Sequence, residues 1–190
     1  MNKLVVCSFD NTLINEEEAI SVSKILKIDD IRSNGALFCV YSDKYIYDIL
    51  KYNHDFPFID YIIADGAVLY DVNGNETLFY KKIDSKIIEK IITNFSFYKI
   101  YGVSLKGHFL IRNLKDEEIY KLEIVCNKRD LDIIGCGLEK LNIDIDFSYK
   151  KIKNKYVVEV VMKNLSNDIL IDKICSLRKI KRSEVYEEFL

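Results

Sequence analysis

Three short, continuous apolar runs in the first third of the sequence constrain the fold more than any other feature. They lie at residues 2–8 (NKLVVCS), 36–41 (ALFCVY) and 60–64 (DYIIA). Because these runs lack polar alternation, they predict strands buried on both faces, which is typical of a parallel sheet. Helical patterns separate the runs: Asn15 and Glu18 indicate the start of a helix over 16–26, and a second helix is predicted over 44–52. This alternation of strand and helix predicts a right-handed α/β unit.

The pattern changes after the third run. Two apolar segments flank the turn dipeptide Asn73-Gly74 and predict a β-hairpin. From Ser85 onward, helices and strands follow one another without regular alternation, which favours an α+β domain inserted into the α/β unit. We expect this insertion to occupy residues 83–153.

The core is predicted to resume after the insertion. A buried apolar run at 157–162 and a helical pattern over 167–177 continue the α/β alternation. The predicted core therefore comprises residues 1–82 and 154–190. Two alternatives remain for the last residues, a helix capped by Ser183 or a strand that includes Val185.

Composition and charge narrow the classes of function. The chain is 49% apolar and 31% charged, which is typical of a soluble globular protein. Its net charge of −2 supplies no basic field for a phosphate backbone, so we expect no nucleic-acid partner, and we interpret the basic stretch 149–155 as a solvated strand edge. No apolar run approaches the ~20 residues of a membrane span, and the cysteines form no C-x-x-C pair. We therefore expect a cytoplasmic protein with reduced thiols, a small-molecule partner and no membrane partner.

Polar residues follow the first two apolar runs. In an open parallel sheet, ligands bind beyond the carboxyl ends of the strands. Asp10 there is either an acid/base group or a residue that caps backbone amides. Thr12 and Ser42 are either phosphate donors or hydroxyls that satisfy strand-end amides, and Lys44 can add a positive charge. Ser8 is either an unusual nucleophile or a small polar residue without a catalytic role.

This series of residues resembles the haloacid dehalogenase (HAD) superfamily, and within it the Cof-type sugar-phosphate phosphatases. Members begin with a buried strand that ends in D-x-D-x-T-L, and here residues 8–13 read S-F-D-N-T-L. Residues 42–44 (S-D-K) stand where the family commonly has T-G-R, and residues 65–67 (D-G-A) where it has N-G-A before a hairpin. The resemblance implies a Rossmann-like parallel sheet with an inserted α+β cap. It also implies a magnesium-dependent phosphatase site in which the first Asp is the nucleophile and the second is the general acid and base.

The sequence departs from the family pattern at three places. Ser8 stands at the nucleophile position, and Asn167 stands where the family has a charge-stabilising Lys, although Lys163 is nearby. The sequence also ends about where the family's G-D-x-x-N-D magnesium motif is expected. A Ser hydroxyl is a poor nucleophile without an adjacent base and brings no charge to a divalent cation. We therefore expect a degenerate, C-terminally shortened member, a pseudoenzyme without metal ligands or a cofactor.

Three functions remain open. The first is a catalytically impaired HAD-like protein that binds a phosphorylated small molecule between core and cap. The second is an active Mg-dependent phosphomonoesterase in which Glu187, Glu188 or another acid replaces the missing ligands. The third is a non-catalytic interaction module. Cap residues set the substrate in the family, so the ligand and the oligomeric state stay open at this point.

Overall fold

The computed structural model describes residues 3–14, 19–50, 58–111 and 118–187. The chain forms two compact units. The first unit comprises residues 1–80 and 166–190, and the second unit comprises residues 81–165. In the described part of the chain, no helix is both long enough and apolar enough to cross a membrane.

The first unit is built on a six-stranded sheet. Its strands are β1 (Lys3–Ser8), β2 (Ala36–Ser42), β3 (Tyr61–Ala64), β4 (Val68–Asp71), β5 (Glu76–Tyr80) and β11 (Val185–Glu187). Their spatial order is β11-β1-β2-β3-β4-β5. The pairs from β11 to β3 are parallel, whereas β4 and β5 add an antiparallel hairpin. The predicted parallel core and the predicted hairpin are therefore both present. Of the two alternatives for the last residues, Val185–Glu187 form the strand, after a single 3-10 turn at Arg182–Glu184.

Three helices accompany this sheet: α1 (Val22–Ser33), α2 (Ile46–Leu50) and α5 (Asn167–Arg178). The side chain of Ser166 caps α5 by accepting a hydrogen bond from the Ile169 amide. Apolar side chains of α5 and the sheet share one buried cluster, which includes Leu4 and Ile174. This burial fixes the first residue of α5 close to the sheet.

The helix boundaries differ from the sequence prediction. Helix α1 begins at Val22, capped by Ser21, and ends at Ser33, later than the predicted 16–26. The predicted start at Asn15 and Glu18 lies outside the described residues. Helix α2 lies within the predicted 44–52, and residues 51–57 are likewise outside the described part.

The second unit is an α+β domain, as predicted. Its strands are β6 (Lys99–Ser104), β7 (Gly107–Leu110), β8 (Ile119–Cys126), β9 (Ile145–Ile152) and β10 (Lys155–Met162), and its helices are α3 (Ser85–Asn94) and α4 (Leu131–Lys140). The sheet order is β7-β6-β8-β10-β9, and every pair is antiparallel. Apolar residues of both helices pack on one face of the sheet in a single cluster.

The end of the insertion lies further along the chain than the sequence indicates. The run at 157–162 does not resume the core, because it forms β10, which pairs with β9 and β8 in the second sheet. The second unit therefore extends to residue 165 instead of 153. The physical reason is that β10 is buried on both faces, with Val158 in the cluster beneath the helices and Val157 buried on the opposite face. Burial on both faces produces the same sequence pattern as a parallel core strand.

Candidate functional site

The candidate site is at the carboxyl ends of the parallel strands of the first unit. In the register of β1 and β2, Ser8 lies beside Tyr41, so Ser8 and Ser42 end neighbouring strands. The Asp65 amide, just beyond β3, donates to the Ser42 carbonyl at 2.6 Å. The sheet thus brings the ends of three strands together, as the prediction from their carboxyl ends required.

Asp10 is held from both sides. It lies in a single helical turn, Phe9–Leu13, which the fully buried Phe9 side chain anchors beneath it. The Ser42 hydroxyl donates to Asp10 Oδ2, and Lys44 Nζ lies 3.0 Å from Asp10 Oδ1. Both charged side chains are about one-third exposed, at 30% and 32%. The structure therefore gathers three of the predicted site residues into one hydrogen-bonded group.

Ser42 is the buried centre of this group. The residue is 5% exposed, and its hydroxyl oxygen also accepts a hydrogen bond from the Lys44 amide at 3.0 Å. That second bond fixes the backbone of Lys44 beside the strand end. Lys44 Nζ also lies 5.6 Å from the centre of the Phe9 ring, a favourable position for a cation.

Ser8 does not contact a general base through its hydrogen bond. Its hydroxyl donates to the Asp10 backbone carbonyl at 2.6 Å, across the first residues of the turn. A nucleophilic serine needs its proton directed at a base. The observed bond instead directs that proton at a carbonyl oxygen.

Thr12 is fixed through its backbone by a residue that the sequence analysis missed. Lys24 Nζ, from the first turn of α1, donates to the Thr12 carbonyl. The contact connects α1 to the turn and adds a second ammonium group near the strand ends. No sequence signal marks Lys24, because the helix was predicted to begin earlier and Lys24 would then lie near its end.

Asn167 reaches the loop that follows β3. It is the first residue of α5, and its Oδ1 is 3.9 Å from the position that a Cβ on Gly66 would occupy. Gly66 itself has a positive φ of 62°, which only glycine adopts readily. A neutral amide thus stands beside this strand end, at the position where the resemblance implies a lysine.

Of the two acids named for a substituted metal site, the structure describes Glu187. Glu187 lies on β11 beside Val6, two residues before Ser8, and Glu188 lies outside the described residues. Burial, and secondarily the charge of Glu187, raises the pKa of the Tyr41 phenol. Among the described residues, no group of three His, Cys, Asp or Glu side chains is arranged to hold a metal ion. Of the metal site implied by the resemblance, Asp10 remains as a carboxylate donor, and its charge is balanced by Lys44.

A parallel sheet with polar side chains gathered at its carboxyl edge defines a Rossmann-like α/β protein, in which this edge is the ligand-binding edge. A family model of haloacid dehalogenase-like hydrolases matches residues 5–110. The match spans more than half of the chain, which therefore belongs to this family. No curated protein matches the chain significantly by sequence.

Solved structures with the same fold include phosphatases. A protein of Thermotoga maritima has a TM-score of 0.79 and 16% identity, covering 98% of this chain and 79% of its own. A protein of Bacteroides thetaiotaomicron, described among the phosphatases of the HAD superfamily, has a TM-score of 0.77 and 14% identity, covering 98% and 76%. A sugar phosphatase of HAD subclass IIB has a TM-score of 0.73 and 14% identity, covering 97% and 79%. These similarities confirm the predicted HAD fold with an inserted α+β domain.

Proposed function

We propose that this HAD-like protein binds a phosphate monoester at the carboxyl ends of β1 and β2 without hydrolysing it. The observation that carries the proposal is the contact of 3.0 Å between Lys44 Nζ and Asp10 Oδ1. With Ser8 in place of an acid, Asp10 is the carboxylate of the first motif, and the Lys44 ammonium balances its charge. A phosphate group can then approach a neutral pair without a divalent cation.

The same residues supply the donors for the phosphate oxygens. The Lys44 ammonium and the Ser42 hydroxyl both donate to the Asp10 carboxylate. Both groups rotate about single bonds, so they can redirect their hydrogens to a bound phosphate. Thr12, in the turn that follows β1, adds a second hydroxyl and so a third donor. Charged donors make the stronger hydrogen bonds to phosphate, so Lys44 is expected to contribute most of the affinity.

The arrangement also argues against turnover. The Ser8 hydroxyl is bonded to a backbone carbonyl, and Asn167 brings no positive charge. In phosphoryl transfer, loss of the covalent nucleophile lowers the rate by about 10³-fold or more, and so does loss of a charge-stabilising group. The two losses are not additive. The proposed role is therefore that of a binding protein on a hydrolase fold.

The test is calorimetric titration with inorganic phosphate and a panel of hexose and pentose phosphates in the presence of a chelator. We expect saturable binding, weakened by about tenfold or more in Lys44→Gln and in Ser42→Ala. Lys3→Gln is the matched control, because it removes one exposed ammonium at the opposite end of β1. Absence of binding for phosphate and for every ester would contradict the proposal.

Two other outcomes would assign a different function to the first unit. Magnesium-dependent release of phosphate from p-nitrophenyl phosphate, abolished in Asp10→Asn, would identify an active phosphomonoesterase. If Asp10→Asn and Ser42→Ala change neither ligand binding nor turnover, the first unit is an interaction module. Both assays use the full chain, so they are read on the same preparations.

A further inference from the structure

The two units carry opposite net charges. The second unit has 17 Lys and Arg against 12 Asp and Glu, a net charge of +5. The first unit has 11 against 18, a net charge of −7. The overall value of −2 therefore conceals a basic domain, and the expectation that excluded polyanionic partners assumed an even distribution.

The positive charge is concentrated at one end of the second sheet, where β6 and β10 begin and β8 and β9 end. The register places Lys99 opposite Val125 and Lys155 opposite Ile152, so these strand ends lie side by side. Lys155 Nζ donates to Asn127 Oδ1 at 2.8 Å and joins the two neighbouring loops. We call this surface the basic end, and its exposed cations are Lys99, Lys128, Arg129, Lys150, Lys151, Lys153 and Lys155.

Acidic residues offset only part of this charge. Asp130 lies 3.7 Å from Arg129, whose side chain is 86% exposed, and Asp132 follows in the first turn of α4. Glu139 is close enough for its charge to act on Tyr149, so three acids stand against seven cations, and the basic end keeps a net positive charge.

Exposed apolar side chains gather at the same end. The large hydrophobic residues that are exposed in the described part of the second unit are Phe97, Ile133, Tyr149 and Ile152. Phe97, at 98% exposure, precedes β6, and Ile152 ends β9 beside the hairpin turn that leads to β10. Exposed hydrophobic residues scattered singly need no explanation, but their coincidence with a cationic cluster does.

Protection of a strand edge explains only some of the cations. Lys150 and Lys151 lie on β9, which is an edge strand, and lysines there do discourage pairing with other chains. Lys99 begins β6 and Lys128 follows β8, and both of these strands are paired on each side. The basic end therefore extends across the sheet and needs a second cause.

We propose that the basic end docks on an anionic membrane surface. Lys and Arg attract anionic headgroups, while exposed aromatic and aliphatic side chains enter the boundary between headgroups and acyl chains. Because neighbouring strands are about 4.8 Å apart, the loops of β6, β8, β10 and β9 present their tips along a front of about 15 Å on one side of the domain. Ile133 and Ile152 favour a membrane over a nucleic acid, since aliphatic side chains give bases no stacking face.

The test is co-sedimentation of the full chain with vesicles of phosphatidylcholine alone or mixed with phosphatidylserine. We expect binding only to the mixed vesicles at about 0.05 M salt, and weaker binding at about 0.5 M. Each cation of the basic end contributes about fivefold to the partition coefficient between vesicle and water. The double variant Lys151→Gln with Lys153→Gln should therefore lower that coefficient by roughly 20-fold. The matched double variant Lys106→Gln with Lys163→Gln, at the opposite end of the sheet, should leave it within about twofold.

A further variant separates the contribution of apolar side chains that enter the membrane from the contribution of charge. Phe97→Ser should weaken binding to the mixed vesicles without changing the circular dichroism spectrum, because the side chain is 98% exposed. No sedimentation with mixed vesicles, or equal losses in the two double variants, would overturn the proposal. Tighter binding to an oligouridine, measured by fluorescence anisotropy, than to the mixed vesicles would also overturn it, because the basic end would then be a nucleic-acid surface.

Discussion

Lys121 is the most deeply buried charge in the described chain, and its replacement gives a demanding test of the second unit. Its side chain is 2% exposed, and Nζ lies 3.3 Å from Glu123 Oε1 and 3.0 Å from Glu159 Oε1. Glu123 in turn lies 3.0 Å from His108 Nε2. The ammonium is thus the central positive charge between two carboxylates, on the face of β8 opposite the α3 and α4 cluster.

Removing that ammonium leaves the buried carboxylate of Glu123 and the partly buried carboxylate of Glu159 without the positive charge between them. At an effective dielectric constant of about 20, each contact near 3 Å is worth about 5 kcal/mol of Coulomb attraction, most of which offsets the cost of burying the ions. Breaking a buried ion pair by removing one partner costs about 3–5 kcal/mol. We therefore expect Lys121→Met to lower the free energy of unfolding by about 3–5 kcal/mol at neutral pH.

Urea denaturation followed by circular dichroism measures this loss, since the chain has no tryptophan. Lys140→Met is the control, because the same substitution on the exposed side of α4 should change the free energy of unfolding by less than about 0.5 kcal/mol. The triple variant Lys121→Met, Glu123→Gln, Glu159→Gln should recover much of the loss, since it removes the charges from all three groups. A loss below about 1 kcal/mol in the single variant would refute the argument that these charges are coupled and buried.

Further predictions concern the first unit and the thiols. Ser8→Asp alone should not release p-nitrophenol from p-nitrophenyl phosphate with magnesium, because Asn167 stays neutral and Lys44 can pair with the new carboxylate; clear turnover would make Ser8 the sole defect. Asp60→Ala should lower the free energy of unfolding by about 2–4 kcal/mol in urea, because the buried Phe38 amide loses its acceptor, whereas the exposed Asp29→Ala should have little effect. Iodoacetamide should modify Cys136 first, as mass spectrometry can verify, because it is exposed and the other four thiols are buried. Burial raises the pKa of several phenols above 10, namely Tyr41, Tyr61, Tyr70 and Tyr98. Their contribution to stability is complete below the unfolded-state pKa of about 10 and is lost as the pH rises through the folded-state values. The urea midpoint should therefore not change through these phenols below about pH 10, and it should fall as the pH is raised further.

The sequence predicted those elements whose burial is visible in residue type alone. β1, β2 and β3 are continuous apolar runs, and the Asn73-Gly74 dipeptide marks the turn between β4 and β5. The end of the insertion was misplaced because β10 has the same apolar pattern in an antiparallel sheet. Pairing partners at long range, not the residues of β10, decide which sheet the strand joins.

The charged strand β8 illustrates a different limit. Lys121 and Glu123 are residue types that are normally solvent-exposed, so the sequence of this segment does not predict a buried strand. Their burial depends on Glu159, which is 38 residues from Lys121 and lies on β10 directly opposite Glu123. A charge becomes a core residue only when its partner is supplied by another strand, and local sequence does not contain that information.

The sequence grouped the candidate site residues correctly in space for a related but more favourable reason. Ser8, Asp10, Ser42 and Lys44 come from two strands, yet each follows a buried run directly, and parallel strands must place their carboxyl ends at one edge. Topology therefore substitutes for an unseen contact, whereas Lys24, which reaches the turn from a helix, has no comparable rule. The basic end also depends on topology. In an antiparallel sheet, the start of one strand lies beside the end of its neighbour, so cations that are distant in sequence come together there. The net charge of the whole chain combines the positive charge of the second unit with the negative charge of the first. The two charges become visible only when the fold divides the chain into its two units.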